Sequence, residues 1–300
     1  MPERILVTGG KGKTGARVAL ALTRAGHDPY IATRHPAGPM DRQFEWSDPQ
    51  TATAFEGCTA AYLVAPTDRI DHLAQMRPHL ERAIAGGTRR FVLLSASSLE
   101  RGGAMMGEVH DWLARNAPEW AVLRPSWFMQ NFSEGPHALT LRDEGVIYSA
   151  TGTGRIGFID AGDIAEAAVA ALVGPAALNR DVVLTGPEAL SYKDLAEILS
   201  QVLRRPIRHI ALDADTQAQR FEAQGLPPDY ARMLSALDQR IAEGAEARTT
   251  DGVAQLTGRT PTRFRAFAEA AAPAWRVDAD TTPEAFAHPE HKGKERRRAT

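Results

Sequence analysis

The feature that most constrains this chain lies near its start. There Thr8-Gly9-Gly10-Lys11-Gly12-Lys13-Thr14-Gly15 separates an apolar run, Ile5-Leu6-Val7, from a helical pattern. Gly9, Gly12 and Gly15 recur at every third position. A glycine at a strand end permits a tight turn, a second lets backbone approach a pyrophosphate, and a third lets helix and strand pack closely. The first turn of the helix then offers unpaired N–H groups to an anion. Gly12-Lys13-Thr14 also invites a P-loop reading, but that motif needs a glycine five residues earlier, where Val7 stands. A nucleoside triphosphatase is set aside, and the turn reads as dinucleotide-binding.

The surrounding pattern repeats strand, helix, strand. Ile5–Val7, Tyr30–Thr33, Ala61–Ala65, Phe91–Leu94 and Ala121–Leu123 read as buried strands. Between the first two, Val18 and Leu22 mark a helix that Gly26 closes. Ile70, Leu73, Leu80 and Ile84 mark another, ended by Gly86-Gly87. Such alternation predicts an α/β protein with a Rossmann-type, doubly wound parallel sheet over residues 1–135. A smaller, mostly helical substrate-side domain is expected over 136–275, with strands that could rejoin the main sheet. In it Asp163 reads as the N-cap of a helix carrying Ile164, Ala168 and Leu172, stopped by Gly174-Pro175. Val182–Leu184 reads as a strand, and Ser191-Tyr192-Lys193-Asp194 opens a further helix. Residues 276–300 form a polar tail, read as disordered.

Composition narrows the function classes. A formal net charge of −2 over 300 residues argues against a dedicated nucleic-acid binder. No run approaches the roughly 20 apolar residues of a membrane span, and the N-terminus does not read as a signal peptide. The single cysteine, Cys58, excludes an internal disulfide framework. The expectation is a cytoplasmic protein without nucleic-acid or membrane partners, its oligomeric state open. His288 and His291 in the tail are too few to make a metal site, so no metal is expected.

The end of the second strand bears on which dinucleotide is bound. NAD sites place an acid there for the ribose 2′-hydroxyl, whereas NADP sites supply a cation. Here Ala32-Thr33-Arg34-His35-Pro36 holds no acid before Asp41. Arg34 can fork onto a 2′-phosphate, assisted by Lys11 or Lys13, so the expected cofactor is NADP(H).

Three stretches together resemble the NmrA-like, atypical short-chain dehydrogenase/reductases. They are Thr8-Gly9-x-x-Gly12-x-x-Gly15, Leu123-Arg124-Pro125-Ser126-Trp127-Phe128-Met129-Gln130-Asn131-Phe132, and Phe158-Ile159-Asp160-x-x-Asp163-Ile164-Ala165. With Met106-Gly107-Glu108-Val109-His110, the match is similar to the festuclavine/agroclavine dehydrogenase branch of ergot-alkaloid enzymes and its bacterial relatives. The resemblance spans residues 3–275 and implies reduction of a cyclic iminium with NADPH. It implies that Gly9, Lys11, Gly12, Lys13 and Thr14 hold the phosphates, with Thr8 and Gly15 completing the turn and Arg34 at the adenosine ribose. Ala65-Pro66-Thr67 would pass the nicotinamide-side ribose, beside Ser95-Ala96-Ser97. Pro125 to Phe128 would line the nicotinamide side.

One absence is a deduction from the residues alone. Ordinary short-chain dehydrogenases use Tyr-x-x-x-Lys, the lysine lowering the pKa of a proton-donating tyrosine. The five lysines here are Lys11, Lys13, Lys193, Lys292 and Lys294, so none falls between residues 14 and 192. Three readings stay open: an electron-poor substrate such as an imine or iminium, another proton donor, or NADP(H) binding without turnover. His110 is the candidate donor, since its ordinary pKa suits proton transfer at neutral pH. Trp127 and Phe128 could form an aromatic wall for a small aromatic or heterocyclic substrate, with Asn131 beside them. The leading expectation is an imine or iminium reductase. A non-catalytic NADP(H)-sensing regulator and a quinone or activated-carbonyl reductase are the alternatives.

Overall fold

A computed structural model describes residues 2–276, apart from 67, 68 and 136. Its frame is a seven-stranded sheet. Strands β1 (Arg4–Val7), β2 (Asp28–Thr33), β3 (Asp41–Gln43), β4 (Ala60–Val64), β5 (Arg90–Leu94) and β6 (Glu119–Pro125) come from the first half. Two short pairs follow: β7 (Val146–Ser149) with β11 (Arg208–Ala211), and β8 (Arg155–Ile156) with β10 (Leu190–Ser191). Strand β9 (Arg180–Leu184) returns to the main sheet, whose order is β3-β2-β1-β4-β5-β6-β9 with every pair parallel. The order runs outward from β1 in both directions, the doubly wound arrangement whose crevice lies beyond the carboxyl ends of the strands.

Alternation along each strand divides two cores. Ile5, Val7, Tyr62 and Leu123 face helices α1 (Gly15–Arg24) and α5 (Ala161–Val173). Leu6, Leu63, Phe91 and Val122 face α2 (His72–Ala85) and α3 (Met106–Asn116). Burial on both faces is why these strands read as continuous apolar runs. Helices α4 (Ala138–Asp143), α6 (Tyr192–Leu203) and α10 (Phe264–Ala271) enclose a third core with Phe132, Phe158 and Trp275. The remaining helices are α7 (Ala214–Ala223), α8 (Pro228–Ala242) and α9 (Gly252–Thr257). Gly26 (φ 81°) follows α1 as expected, and Ser191 and Asp194 form a reciprocal capping box on α6.

Two local expectations are corrected. Asp160, not Asp163, caps α5, its carboxylate accepting from the Gly162 N–H at 2.6 Å. Asp163 lies in the first turn and accepts from the backbone and hydroxyl of Thr262 at 2.6 and 3.1 Å. Ile70 precedes α2 and is 68% exposed, because the helix begins only at His72. The expected disorder of the tail, residue 276 aside, falls outside the described residues.

Candidate active site

A cleft of about 1090 Å³ runs across the carboxyl ends of β1, β2, β4, β5 and β6. From β2 to β6 it crosses four inter-strand steps of about 4.8 Å, roughly 19 Å in all. That length suits an extended ligand bearing two nucleotides end to end.

One half is built for anions. Gly9 sits at φ 61°, and a Cβ on Gly15 would overlap the Gly9 carbonyl, so the turn can pack onto α1 only as glycine. The Thr8 hydroxyl accepts from Val64 N–H at 2.7 Å and binds the Tyr62 carbonyl, locking the turn to β4. Thr14 occupies the N-cap of α1 without a side-chain capping bond, and Ala16 N–H donates to the Gly12 carbonyl at 3.0 Å, so the positive end of the helix meets a cleft that Gly12, Lys13 and Thr14 line. Lys11 Nζ pairs with Asp41 at 2.9 Å and donates to the His35 carbonyl at 3.1 Å, bracing the β2–β3 loop. Backbone bonds from Ala37, then Lys11, hold Asp41 below the usual carboxylate range. Arg34, exposed on the same loop, makes no bond or ion pair with any described residue and lines the cleft.

The other half is apolar, with few polar groups. Ser95, only 6% exposed, lines the cleft at the end of β5, and its Oγ has no partner among the described residues. A buried unpaired hydroxyl costs about 1–3 kcal/mol. Beyond β6 the chain is pinned from several sides. Trp127 carbonyl accepts from Ile159 N–H at 2.9 Å, and Met129 N–H donates to Ile159 carbonyl at 2.8 Å. Gln130 donates to Asp160 at 2.7 Å and accepts from Ala161 N–H at 2.8 Å, while the Trp275 indole donates to the Phe132 carbonyl at 2.7 Å. This bracing presents Pro125, Trp127, Phe128 and Asn131 to the cleft.

The cleft also takes residues that sequence reasoning did not find. Tyr230 and Leu237 come from α8, seven positions apart and so on one helical face. The adjoining stripe of α8, with Ala231, Ser235, Asp238 and Ile241, is buried. Trp46 follows β3 and is fixed by its indole bond to the Val64 carbonyl at 2.9 Å. The heptad spacing in α8 was readable, but which lobe it would face was not.

Of the expected residues, Gly9, Lys11, Gly12, Lys13, Thr14, Arg34, Ala65, Pro66, Ser95, Ala96, Pro125, Trp127, Phe128 and Asn131 converge on the cleft. Thr8 and Gly15 support its turn from behind. Ser97 does not line it, and its hydroxyl donates instead to the buried Glu246 at 2.8 Å. Thr67 lies outside the described residues. His110 is not among the lining residues either. It is 1% exposed, its ring 5.5 Å from that of Trp120 and both nitrogens without partners among the described residues. Burial pushes its pKa down. No cluster of three or more His, Cys, Asp or Glu side chains able to hold a metal exists among the described residues. No helix among them is long and apolar enough to cross a membrane.

Comparison with known proteins places these features in context. No family model matches the chain. It is 41% identical over 275 residues to an uncharacterised oxidoreductase, YesF, of Bacillus subtilis (strain 168), covering 90% of this chain and 96% of that protein. It is 40% identical over 278 residues to the agroclavine dehydrogenase of Claviceps fusiformis, covering 88% and 95%. Among solved structures, the NADPH-dependent quinone oxidoreductase of Escherichia coli in complex with NADPH superposes with a TM-score of 0.77 at 22% identity. That match covers 91% of this chain and all of the other (100%). The transcriptional regulator NmrA in complex with NADP gives 0.71 at 15% identity, covering 91% and 96%. At these identities the structural matches establish the Rossmann-type fold.

Proposed function

Because the chain belongs to the family of agroclavine and festuclavine dehydrogenases and their bacterial relatives, we propose that it is an NADPH-dependent reductase. The substrate we infer is a small aromatic or heterocyclic molecule bearing an imine, iminium or similarly activated double bond. One cleft carries this reading, since it joins a glycine turn at a helix start, and an arginine without a partner among the described residues, to an apolar wall.

The residues present fit the dinucleotide. The glycine turn, the uncapped start of α1 and Lys13 would receive the pyrophosphate, and Arg34 the 2′-phosphate with Lys11 beside it. Asp41 is already engaged by Lys11 and the loop amides, so it does not stand free to claim a ribose hydroxyl. Ala65 and Pro66 would flank the nicotinamide-side ribose, with Ser95 beside them at the end of β5. When bound, NADPH supplies a hydride.

An iminium enters with its positive charge and leaves as a neutral amine, so no protein group need deliver a proton. That agrees with a cleft whose two lysines, Lys11 and Lys13, both belong to the glycine turn. It also removes the need for His110, which lies elsewhere. The ring faces of Trp127 and Tyr230 would attract such a cation by about 0.5–2 kcal/mol while Phe128 and Leu237 exclude water.

The test is NADPH oxidation, followed by absorbance, against cyclic imines, quinones and activated enones, with NADH as control. NADPH-dependent turnover is expected of a cyclic imine in its protonated, iminium form, whose proton comes from solution before binding. Turnover confined to quinones or enones would replace the substrate class. Tight NADPH binding with no turnover across the panel would overturn the reductase reading in favour of a sensor.

A further inference from the structure

One cleft lysine takes its partner from the far side of the site. Lys13, in the glycine turn, donates from Nζ to Asn131 Oδ1 at 3.1 Å, and Asn131 follows β6. Both residues line the cleft. The geometry on each side is fixed. Asn131 N–H donates to the Phe128 carbonyl at 3.1 Å, and its own carbonyl accepts from His137 N–H at 3.2 Å. Arg17 donates to the Lys13 carbonyl at 2.7 Å and pairs with Glu134 at 2.5 Å, so a second bridge runs alongside the first.

The electrostatics explain why an amide stands there. Burial holds the Lys13 ammonium below its ordinary pKa, with Glu134 opposing and Arg17 adding to the effect. A half-buried ammonium needs an acceptor to stay oriented. A carboxylate would supply one but would also cancel the charge and repel an incoming anion. An amide oxygen orients the ammonium and leaves its charge intact.

We propose that Asn131 is a positioning residue for the dinucleotide, acting through Lys13, and not a substrate contact. Its amide holds the ammonium beside the uncapped start of α1, where the pyrophosphate is received. This inference rests on the dinucleotide-binding reading above and assigns the substrate-side turn a part in cofactor affinity.

A double-mutant cycle tests it, read by quenching of tryptophan fluorescence as NADPH or NADH is titrated into the protein without substrate. Asn131→Ala should weaken both dinucleotides by about tenfold and by the same factor, because the pyrophosphate is common to them. In a Lys13→Met background, adding Asn131→Ala should change neither affinity further. A loss that persists in that background would show a purely structural role and overturn the proposal. Unchanged affinity of Asn131→Ala would do the same. Asn131→Asp keeps the size and the acceptor, so it guards against misfolding. It should weaken binding at least as much, and wild-type affinity in that variant would sink the idea. If the unaltered chain binds neither dinucleotide, the dinucleotide-binding reading and this inference fall together. If it binds both and the variants match it, only this inference falls.

Discussion

Two charged side chains beyond β2 have opposite fates, and the difference sets a prediction. Asp41 is tied by Lys11 and the amides of Ala37 and Gly38, whereas Arg34 has no partner among the described residues. An unpaired guanidinium at the rim of an anion-binding cleft gains most from a ligand with an extra phosphate. Arg34→Ala should weaken NADPH binding by roughly 10–100-fold and leave NADH nearly unchanged, measured by parallel titrations. Equal losses for the two dinucleotides would show that Arg34 does not read the 2′-phosphate. Arg34 was legible because a strand end fixes where its following residue stands. His110 was not, since helical periodicity gives a face and not the site that face meets. Its face turns out to meet Trp120, not the cleft.

At the scale of elements, the turn after β6 joins parts that are distant in sequence. Gln130 is 4% exposed, and its amide serves both the Asp160 cap and the first amide of α5. Truncating it would leave the buried Ala161 N–H without its acceptor and take one donor from the half-buried Asp160 carboxylate, which keeps the Gly162 N–H. Gln130→Ala should therefore lower stability by roughly 2–3 kcal/mol, with the denaturant slope unchanged in chemical unfolding. A loss near zero would mean that water replaces both bonds. The motif around Gln130 stood out in the sequence, but not what it braces, since Asp160 lies 30 residues further on. The same limit applies to β3, a polar edge strand of three residues, Asp41–Gln43, with no apolar alternation to reveal it. By contrast β1, β4, β5 and β6 were legible because burial on both faces writes itself as an apolar run.

For the whole molecule, β9 was legible as a strand, but its place beside β6 and the placing of α8 over the cleft are tertiary facts that local pattern does not encode. Two titratable groups lie in the part of the chain that follows β6. Asp238 on α8 accepts from Ala150 N–H at 2.9 Å, and burial pushes its pKa up to about 6. His137 stacks on Phe132 with ring centres 5.0 Å apart, and burial pushes it down to about 4. Their effects on stability have opposite signs. Between about pH 4 and 6 the folded chain keeps a proton on Asp238 that the unfolded chain has released, so stability falls as pH rises. Over a similar range, up to about pH 6.5, the unfolded chain binds a proton that His137 refuses, so there stability rises with pH. The two slopes oppose each other in the wild-type chain. Asp238→Asn retains an oxygen to accept from Ala150 but removes the falling slope. The variant should match the wild type near pH 4 and exceed it by about 2–3 kcal/mol near pH 7 in urea unfolding. A gap that stays constant across that range would show that Asp238 does not titrate differently in the folded and unfolded chains.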